Sequence, residues 1–481
     1  VQLRLQGQPA GLSYAGQVRL RQAAFSLPDW HVDISSLDGT LYVDPARLTT
    51  DELLWQIGRS SFQARGWVAD YLSAHRTADL YVTVPKAHDR DVASFLPAGT
   101  LLDAGGTLSG HIKAFLSAGQ LHTEGELRLR RVMLDLVSFL RPLEVDRGWL
   151  RWQGQRGRFH KGNRDNNTIS KDITITFDIS QGRWGGGALT GQGRFASLDP
   201  PRVELTAQLT DLDLEMALAL DRLQPGAGIP GTVVRTELRA DRLRYKSLQA
   251  HDLRLDCHWH DRQADLTLAG AQLAGGRVAG QVVLWPDRQA MLVTPQLTEV
   301  DTSRFLQDIG RPSGVLTGAL SGNGRVAIAD WQRWDRLVDW DASLSLVLRD
   351  GVIQRLPVLV RLWSALSLQG LLSFELPSLG TGLAFSSLGG DLTIDQGRLR
   401  TDNLVLDSSA VRFDTSGSLD LAPLTLDLTT ALVPLHGITS SVAKVPLAGA
   451  LLARGADRLT TLSFRVTGPL ANPTVAPSLV R

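Results

Sequence analysis

The sequence predicts a mostly β protein built on an antiparallel sheet with one apolar and one polar face. Three observations carry this. Short segments alternate apolar and polar residues with a period of two, Gly- and Asp-rich turns separate them, and few stretches show helical periodicity. The alternation is sharpest in Leu388–Arg481. There Leu392 and Ile394, Leu399, Leu404 and Leu406, and Val411 and Phe413 are interleaved with Asp, Arg, Thr and Ser, and Leu419 and Leu421, then Leu424, Leu426 and Leu428 continue the series. Such a sheet has to cover its apolar face, and what covers it decides the function.

Composition removes several function classes. The 481 residues carry 50 basic and 49 acidic side chains, a formal charge of +1, with no basic excess to meet a nucleic acid. Cys257 is the one cysteine, so there is no intrachain disulfide. No window approaches the ~18 consecutive apolar residues of a membrane-spanning helix. The chain begins at Val1 inside an apparent strand, Val1–Leu5, and is expected to be a fragment or processed form that has lost an upstream signal or anchor.

The elements follow in order. Leu80, Val82 and Val84 alternate with Asp79, Tyr81 and Thr83, and Ile173, Ile175, Phe177 and Ile179 with Thr174, Thr176 and Asp178. Leu253, Leu255, Cys257 and Trp259 form a third strand, and Leu344, Leu346 and Leu348 a fourth. Turns fall at Gly105-Gly106, Gly185-Gly186-Gly187, Gly275-Gly276 and Asp350-Gly351, and Lys161–Asp172 reads as an exposed loop. A loose repeat pairs Asp91–Leu96 and Gly106–Gly110 with Asp301–Leu306 and Gly314–Gly318. Asp211–Leu220 with Gly231-Thr232-Val233 is a degraded third copy. The repeated unit reads as a short helix leading into a new run of strands. Two helices are expected near the C-terminus. One, 356–368, has Leu359, Leu362, Trp363 and Leu366 on one side; the other, 438–452, has Ile438, Val442 and Val445 at i, i+4, i+7 and is broken at Pro446. The expected divisions are 1–90, 91–300, 301–387 and 388–481.

At ten to sixteen residues per strand and turn, the chain holds on the order of thirty strands. Paired in one sheet they would span roughly 140 Å, whereas a globule of this length has a radius of gyration near ~23 Å. Periodicity does not separate the two.

No catalytic constellation is present: no Gly-x-Ser-x-Gly elbow, phosphate-binding loop, paired-Cys motif or His-Glu-x-x-His. His258 and His260 share a strand face at metal-ligand spacing, with His251, Asp252, Asp256 and Asp261 nearby, but solvent-facing polar residues are the commoner reason for such a pattern. No metal and no cofactor are expected, and no enzyme activity. Trp331, Trp334 and Trp340 cluster in sequence, and packing is favoured over an interfacial membrane role.

The run Gly389-Gly390-Asp391-Leu392-Thr393-Ile394-Asp395-Gln396-Gly397-Arg398-Leu399 continues through Ser416-Gly417-Ser418-Leu419-Asp420-Leu421 and Val445-Pro446-Leu447-Ala448-Gly449. With Phe464-Arg465-Val466-Thr467-Gly468-Pro469-Leu470-Ala471-Asn472-Pro473 it resembles the C-terminal region of AsmA-like proteins of the YhdP and TamB type. Upstream, Ala240–Tyr245, Gly275–Gly280 and the Asp301–Gly318 unit are similar in style and order. The resemblance implies an elongated antiparallel sheet curled into an open apolar groove. It implies a periplasmic protein of the Gram-negative envelope, anchored in the inner membrane through a missing N-terminal segment, that shields phospholipid acyl chains between inner and outer membrane. Groove lining is then expected at Leu80 and Val82; at Ile173, Ile175 and Phe177; at Leu253 and Leu255; and at Leu344 and Leu346. In the last segment it is expected at Leu392, Ile394, Leu404, Leu406, Val411, Phe413, Leu419, Leu421, Leu424 and Leu426.

Ile438, Val442, Val445, Leu451 and Leu452 are candidates for membrane contact, although the basic face of an interfacial helix is largely missing there. Because hydrocarbon offers no hydrogen bonds to read, a single Leu→Ala should do little, whereas a charge at Phe413, Leu426 or Ile175 should block passage. Two other readings keep the β-rich fold: a scaffold that assists outer-membrane protein assembly by offering strand edges, and a structural protein whose apolar faces pack on each other.

Overall fold

The computed structural model describes residues 2–8, 11–27, 32–73, 75–92, 101–102, 105–117, 120–134, 141–156, 172–198, 201–217, 233–260, 263–311, 315–333, 336–354, 382–409, 411–434 and 462–478. They form two compact units, Val1–Arg242 with Asp256–Arg262, and Leu243–Leu255 with Gln263–Arg481. The mostly β, antiparallel prediction holds in both.

In the first unit the order is β1 (Gln2–Gln8), β2 (Gly11–Leu27), β3 (Val32–Val43), β4 (Arg47–Ile57), β5 (Ser60–Ala69), β6 (Thr77–His88) and helix α1 (Asp89–Val92). Then come β7 (Leu101–Leu102), β8 (Thr107–Ser117), β9 (Gln120–Leu134), β10 (Leu143–Arg156), β11 (Asp172–Trp184), β12 (Gly187–Leu198), β13 (Pro201–Asp213) and α2 (Leu214–Ala217). β14 (Val233–Tyr245) and β15 (Leu248–His260) carry residues of both units. The second unit continues with β16 (Gln263–Leu273), β17 (Gly276–Trp285), β18 (Ala290–Asp301), α3 (Thr302–Asp308), β19 (Ala319–Ile328) and β20 (Trp340–Ile353). It ends with β21 (Leu383–Asp395), β22 (Arg398–Asp407), β23 (Val411–Asp420), β24 (Thr425–Pro434), β25 (Leu462–Pro469) and β26 (Thr474–Pro477).

Almost every strand pairs antiparallel with its neighbour in sequence, as short hairpin turns dictate. β6 pairs with β8 across α1, and β18 with β19 across α3. The sheet is open: among the described residues β1 pairs with β2 alone and β26 with β25 alone.

The three α-helices among the described residues stand where the repeat predicts them. Each is short, and α2 and α3 start on an Asp at a strand end. Asp301 Oδ1 accepts from the Arg304 N–H at 3.1 Å, and Asp213 Oδ1 from the Glu215 and Met216 N–H groups at 3.0 and 3.2 Å. The register of the repeat differs from the sequence alignment. The Asp89 N–H bonds the Gly106 carbonyl as the Thr302 N–H bonds that of Gly318, so Asp89 stands where Thr302 does, and His88, not Asp91, where Asp301 does. Asp91 instead accepts from the Arg59 N–H and the Ser60 hydroxyl, tying down the β4–β5 turn. The helices expected at 356–368 and 438–452 lie outside the described residues.

Bulges shift the phase of the alternation. Glu299, at φ 54°, sits between Leu297 and Val300, and Asp350, at φ 51°, between Leu348 and Gly351. The bulge at Glu299 keeps Leu297 and Val300, three apart, on the same face and adds twist, whereas at Asp350 the β20–β21 register runs unbroken.

Candidate functional site

Register aligns the apolar residues of successive strands into rows. In the second unit one row runs from β16 to β24: Leu266, Val282, Val293, Val326, Ala342, Ile394, Leu399, Leu419 and Leu426, each opposite the next. A second runs from β19 to β25 through Leu320, Leu348, Leu388, Leu406, Phe413, Leu432 and Leu462. Ala342 and Leu348 are six residues apart on β20, so the rows lie about 20 Å apart along the strand.

Both rows are anchored in self-packed clusters. Val326, Ile328, Ala342 and Ile394 form one, with Met291, Trp340 and Leu344 against it. The other joins Leu348, Ile353, Phe385, Leu406, Val411 and Phe413 to Leu426, Leu432, Phe464 and Val466. Between the rows lies a band of half-buried residues, Leu297, Leu344, Leu346, Leu392 and Leu404, with Gly322, Gly324 and Gly390 among them. Leu346 stands between two glycines, opposite Gly322 on β19 and Gly390 on β21. A Cβ at Gly322 would fall 2.7 Å from Leu346 Cδ2, and one at Gly324 2.6 Å from Leu344 Cδ2. The leucines therefore lean into the space the glycines leave, and the floor of the band stays thin.

The first unit repeats the arrangement. Ala64, Val82, Ile112, Gly125, Trp152, Ile175, Phe195 and Val203 form a row from β5 to β13. Leu80, Val82, Ile112, Leu127, Leu150 and Trp152 are half-buried, while Val84, Leu129, Val145, Ile179 and Leu209 are buried.

No charged side chain stands in any of these rows. The charges occupy the opposite face as exposed cross-strand pairs: Arg151 with Glu126 at 2.7 Å, Lys113 with Glu124 at 2.8 Å and Arg194 with Glu204 at 2.8 Å. The Lys113 ammonium holds the Glu124 carboxyl below its ordinary range, and Lys113 is raised in return. Such pairs add little stability, but they fix which side faces water. A cavity of about 380 Å³ is bordered by His111, Glu124, Glu126 and Arg151, whose carboxylates are already ion-paired, and by Gly125 and Trp152.

The expected lining residues divide by depth. Leu80, Val82, Leu255, Leu344, Leu346, Leu392, Leu404, Leu419 and Leu421 are half-buried. Ile175, Phe177, Leu253, Ile394, Leu406, Val411, Phe413 and Leu426 are buried among protein side chains. Ile173 lies on β11, in register with Gly154. Leu424 departs from the expectation: it takes φ 51° in the turn before β24, is 48% exposed, and belongs to no strand row. The blocking role expected of a charge at Ile175, Phe413 or Leu426 is corrected as well. These residues are 6%, 3% and 5% exposed, so a charge there acts on folding before it acts on passage.

Trp331 is buried and Trp340 packs on its cluster, as the packing reading expects. Trp334 and the membrane-contact candidates Ile438, Val442, Val445, Leu451 and Leu452 lie outside the described residues. His258 and His260 share a face of β15 with ring centroids 5.1 Å apart. Sequence reading missed Ile112, Leu127, Leu150, Trp152 and Leu297. Leu127 and Leu129 alternating with Arg128 and Arg130 was the available signal.

The chain is an open antiparallel meander with an uncharged, partly covered apolar band, a fold consistent with a curled β-groove. The family model described as YhdP protein matches residues 151–475, and the chain belongs to that family. It is a family of cell-envelope proteins concerned with lipid transport rather than catalysis. No curated protein and no solved structure matches the chain.

Proposed function

We propose that the half-buried bands hold phospholipid acyl chains and that the protein serves as a passive conduit for phospholipid between the inner and outer membranes of a Gram-negative envelope, working in the periplasm. The observation that supports this is the band of Leu297, Leu344, Leu346, Leu392 and Leu404, left half-covered between two self-packed clusters. Leaving apolar surface in water costs about 25 cal/mol per Å², and acyl chains remove that cost without hydrogen-bond demands. The headgroup stays in water at the groove mouth. The buried clusters hold the walls in shape, so half of the apolar face is scaffold and half is contact surface. Ile438, Val442, Val445, Leu451 and Leu452 are the proposed membrane-touching residues.

The test is solvent extraction and mass spectrometry of protein purified without detergent. Co-purified diacyl phospholipid is expected. Monodisperse protein free of lipid would count against the conduit.

A further inference from the structure

Trp152 is the largest side chain in the half-buried band of the first unit, and an upright indole would fill the space above the floor. It does not stand upright. A Cβ at Gly125, its cross-strand partner on β9, would overlap Trp152 Cη2 and Cζ2, so the far edge of the ring occupies the place of the missing side chain. The same device recurs where the rings are fully buried. Phe177 lies over Gly193, with Phe195 tilted against it at 5.6 Å, and Phe385 lies over Gly351. Covering a strand glycine with a neighbouring ring restores the buried area the glycine gives up. In Phe177 and Phe385 this completes a core. Trp152 remains partly exposed, so its ring lies over the glycine without being closed into a core.

We infer that Gly125 is a specificity-determining residue: by seating the Trp152 indole flat, it sets the clearance over the band and so the bulk of acyl chain the first unit admits. The inference rests on the proposed function. A side chain at Gly125 displaces the ring, whose remaining free direction is away from the floor and into the volume assigned to hydrocarbon. Gly125 is suited to the test because its φ is ordinary, so alanine brings no left-handed strain. After the two ring atoms, the next nearest atom to the built Cβ is the His111 carbonyl oxygen, at 2.9 Å.

The experiment compares the full chain as wild type, Gly125→Ala, Trp152→Leu and the double variant, each checked by circular dichroism. Bound phospholipid per protein is measured by mass spectrometry after incubation with phosphatidylethanolamine vesicles. Gly125→Ala is expected to lose bound lipid several-fold, with the longest and most unsaturated chains lost first, and Trp152→Leu in the same chain to restore it. Acrylamide quenching, taken as the difference from Trp152→Phe, should rise at the indole in Gly125→Ala whether or not lipid is added. Wild-type loading by Gly125→Ala would overturn the inference. So would a double variant as poor as the single one, which would place the fault at the His111 carbonyl, or an indole no more accessible than before. Wild-type protein that binds no lipid while Gly125→Ala still exposes its indole would overturn the conduit but not the seating of the ring.

Discussion

A charge placed on the apolar face should have opposite consequences at two positions that look alike in sequence, Leu346 and Phe413. Leu346 is half-buried, and glycines stand on both sides of it in its row, so Leu346→Asp removes few cross-strand contacts. Full burial of a leucine contributes about 1.5–3 kcal/mol, so losing half of it costs on the order of 1 kcal/mol, and the carboxylate keeps access to water. Phe413 is 3% exposed inside the larger cluster. Truncating a buried Phe costs about 3–5 kcal/mol, and an unpaired buried carboxylate adds several more, out of a total stability of roughly 5–15 kcal/mol. Phe413→Asp should therefore fail to fold, or unfold at much lower urea. Leu346→Asp should keep a near-native urea midpoint and lose most of its bound phospholipid. Urea titration followed by circular dichroism, with lipid content from the same preparations, reads both. Wild-type lipid loading in a folded Leu346→Asp would refute the contact role of the band. Native stability in Phe413→Asp would refute the cluster as core.

Two further outcomes test the surrounding structure. Asp301→Ala removes the cap of α3 and should cost about 1 kcal/mol, seen as faster amide exchange across Thr302–Asp308 with the strands unaffected. Hydrogen bonds from Ser345 and then Asn403 hold the Asp391 carboxyl below its ordinary range. Its contribution is therefore present above the ordinary carboxylate pKa and lost as pH falls through the lowered value. Asn403→Ala should narrow the stability difference between about pH 7 and about pH 3, and equal differences in the two proteins would show that this bond is not involved.

The alternation of Leu392 with Ile394, or Val411 with Phe413, made the sheet and its apolar face legible because side-chain direction in a strand is a local property. The helices α2 and α3 were legible for a related reason, since an Asp at a strand end caps them locally. Depth was not. Leu346 and Leu348 occupy equivalent places in the pattern, yet one is half-buried and the other is core, because burial depends on how far along the strand the flanking clusters reach. Bulges escaped for a similar reason. Nothing in the type of Glu299 announces a left-handed backbone, and only the three-residue step from Leu297 to Val300 marks it; Asp350-Gly351 was read as a turn but lies inside β20. Leu424 was read one residue too early into β24 because an apolar residue in a turn continues the pattern without joining the strand. Gly125, Gly322 and Gly324 stand in mid-strand, where their use is visible only with the partner strand in place.

Photo-crosslinking tests most directly whether hydrocarbon covers the half-buried band. A benzoylphenylalanine is placed at Leu346 on the band or at Arg349 on the wet face of the same strand, and the protein is irradiated in the cells that make it. Phospholipid adducts at position 346 and none at 349 are the expected result. Adducts at neither position, or equally at both, would contradict the account.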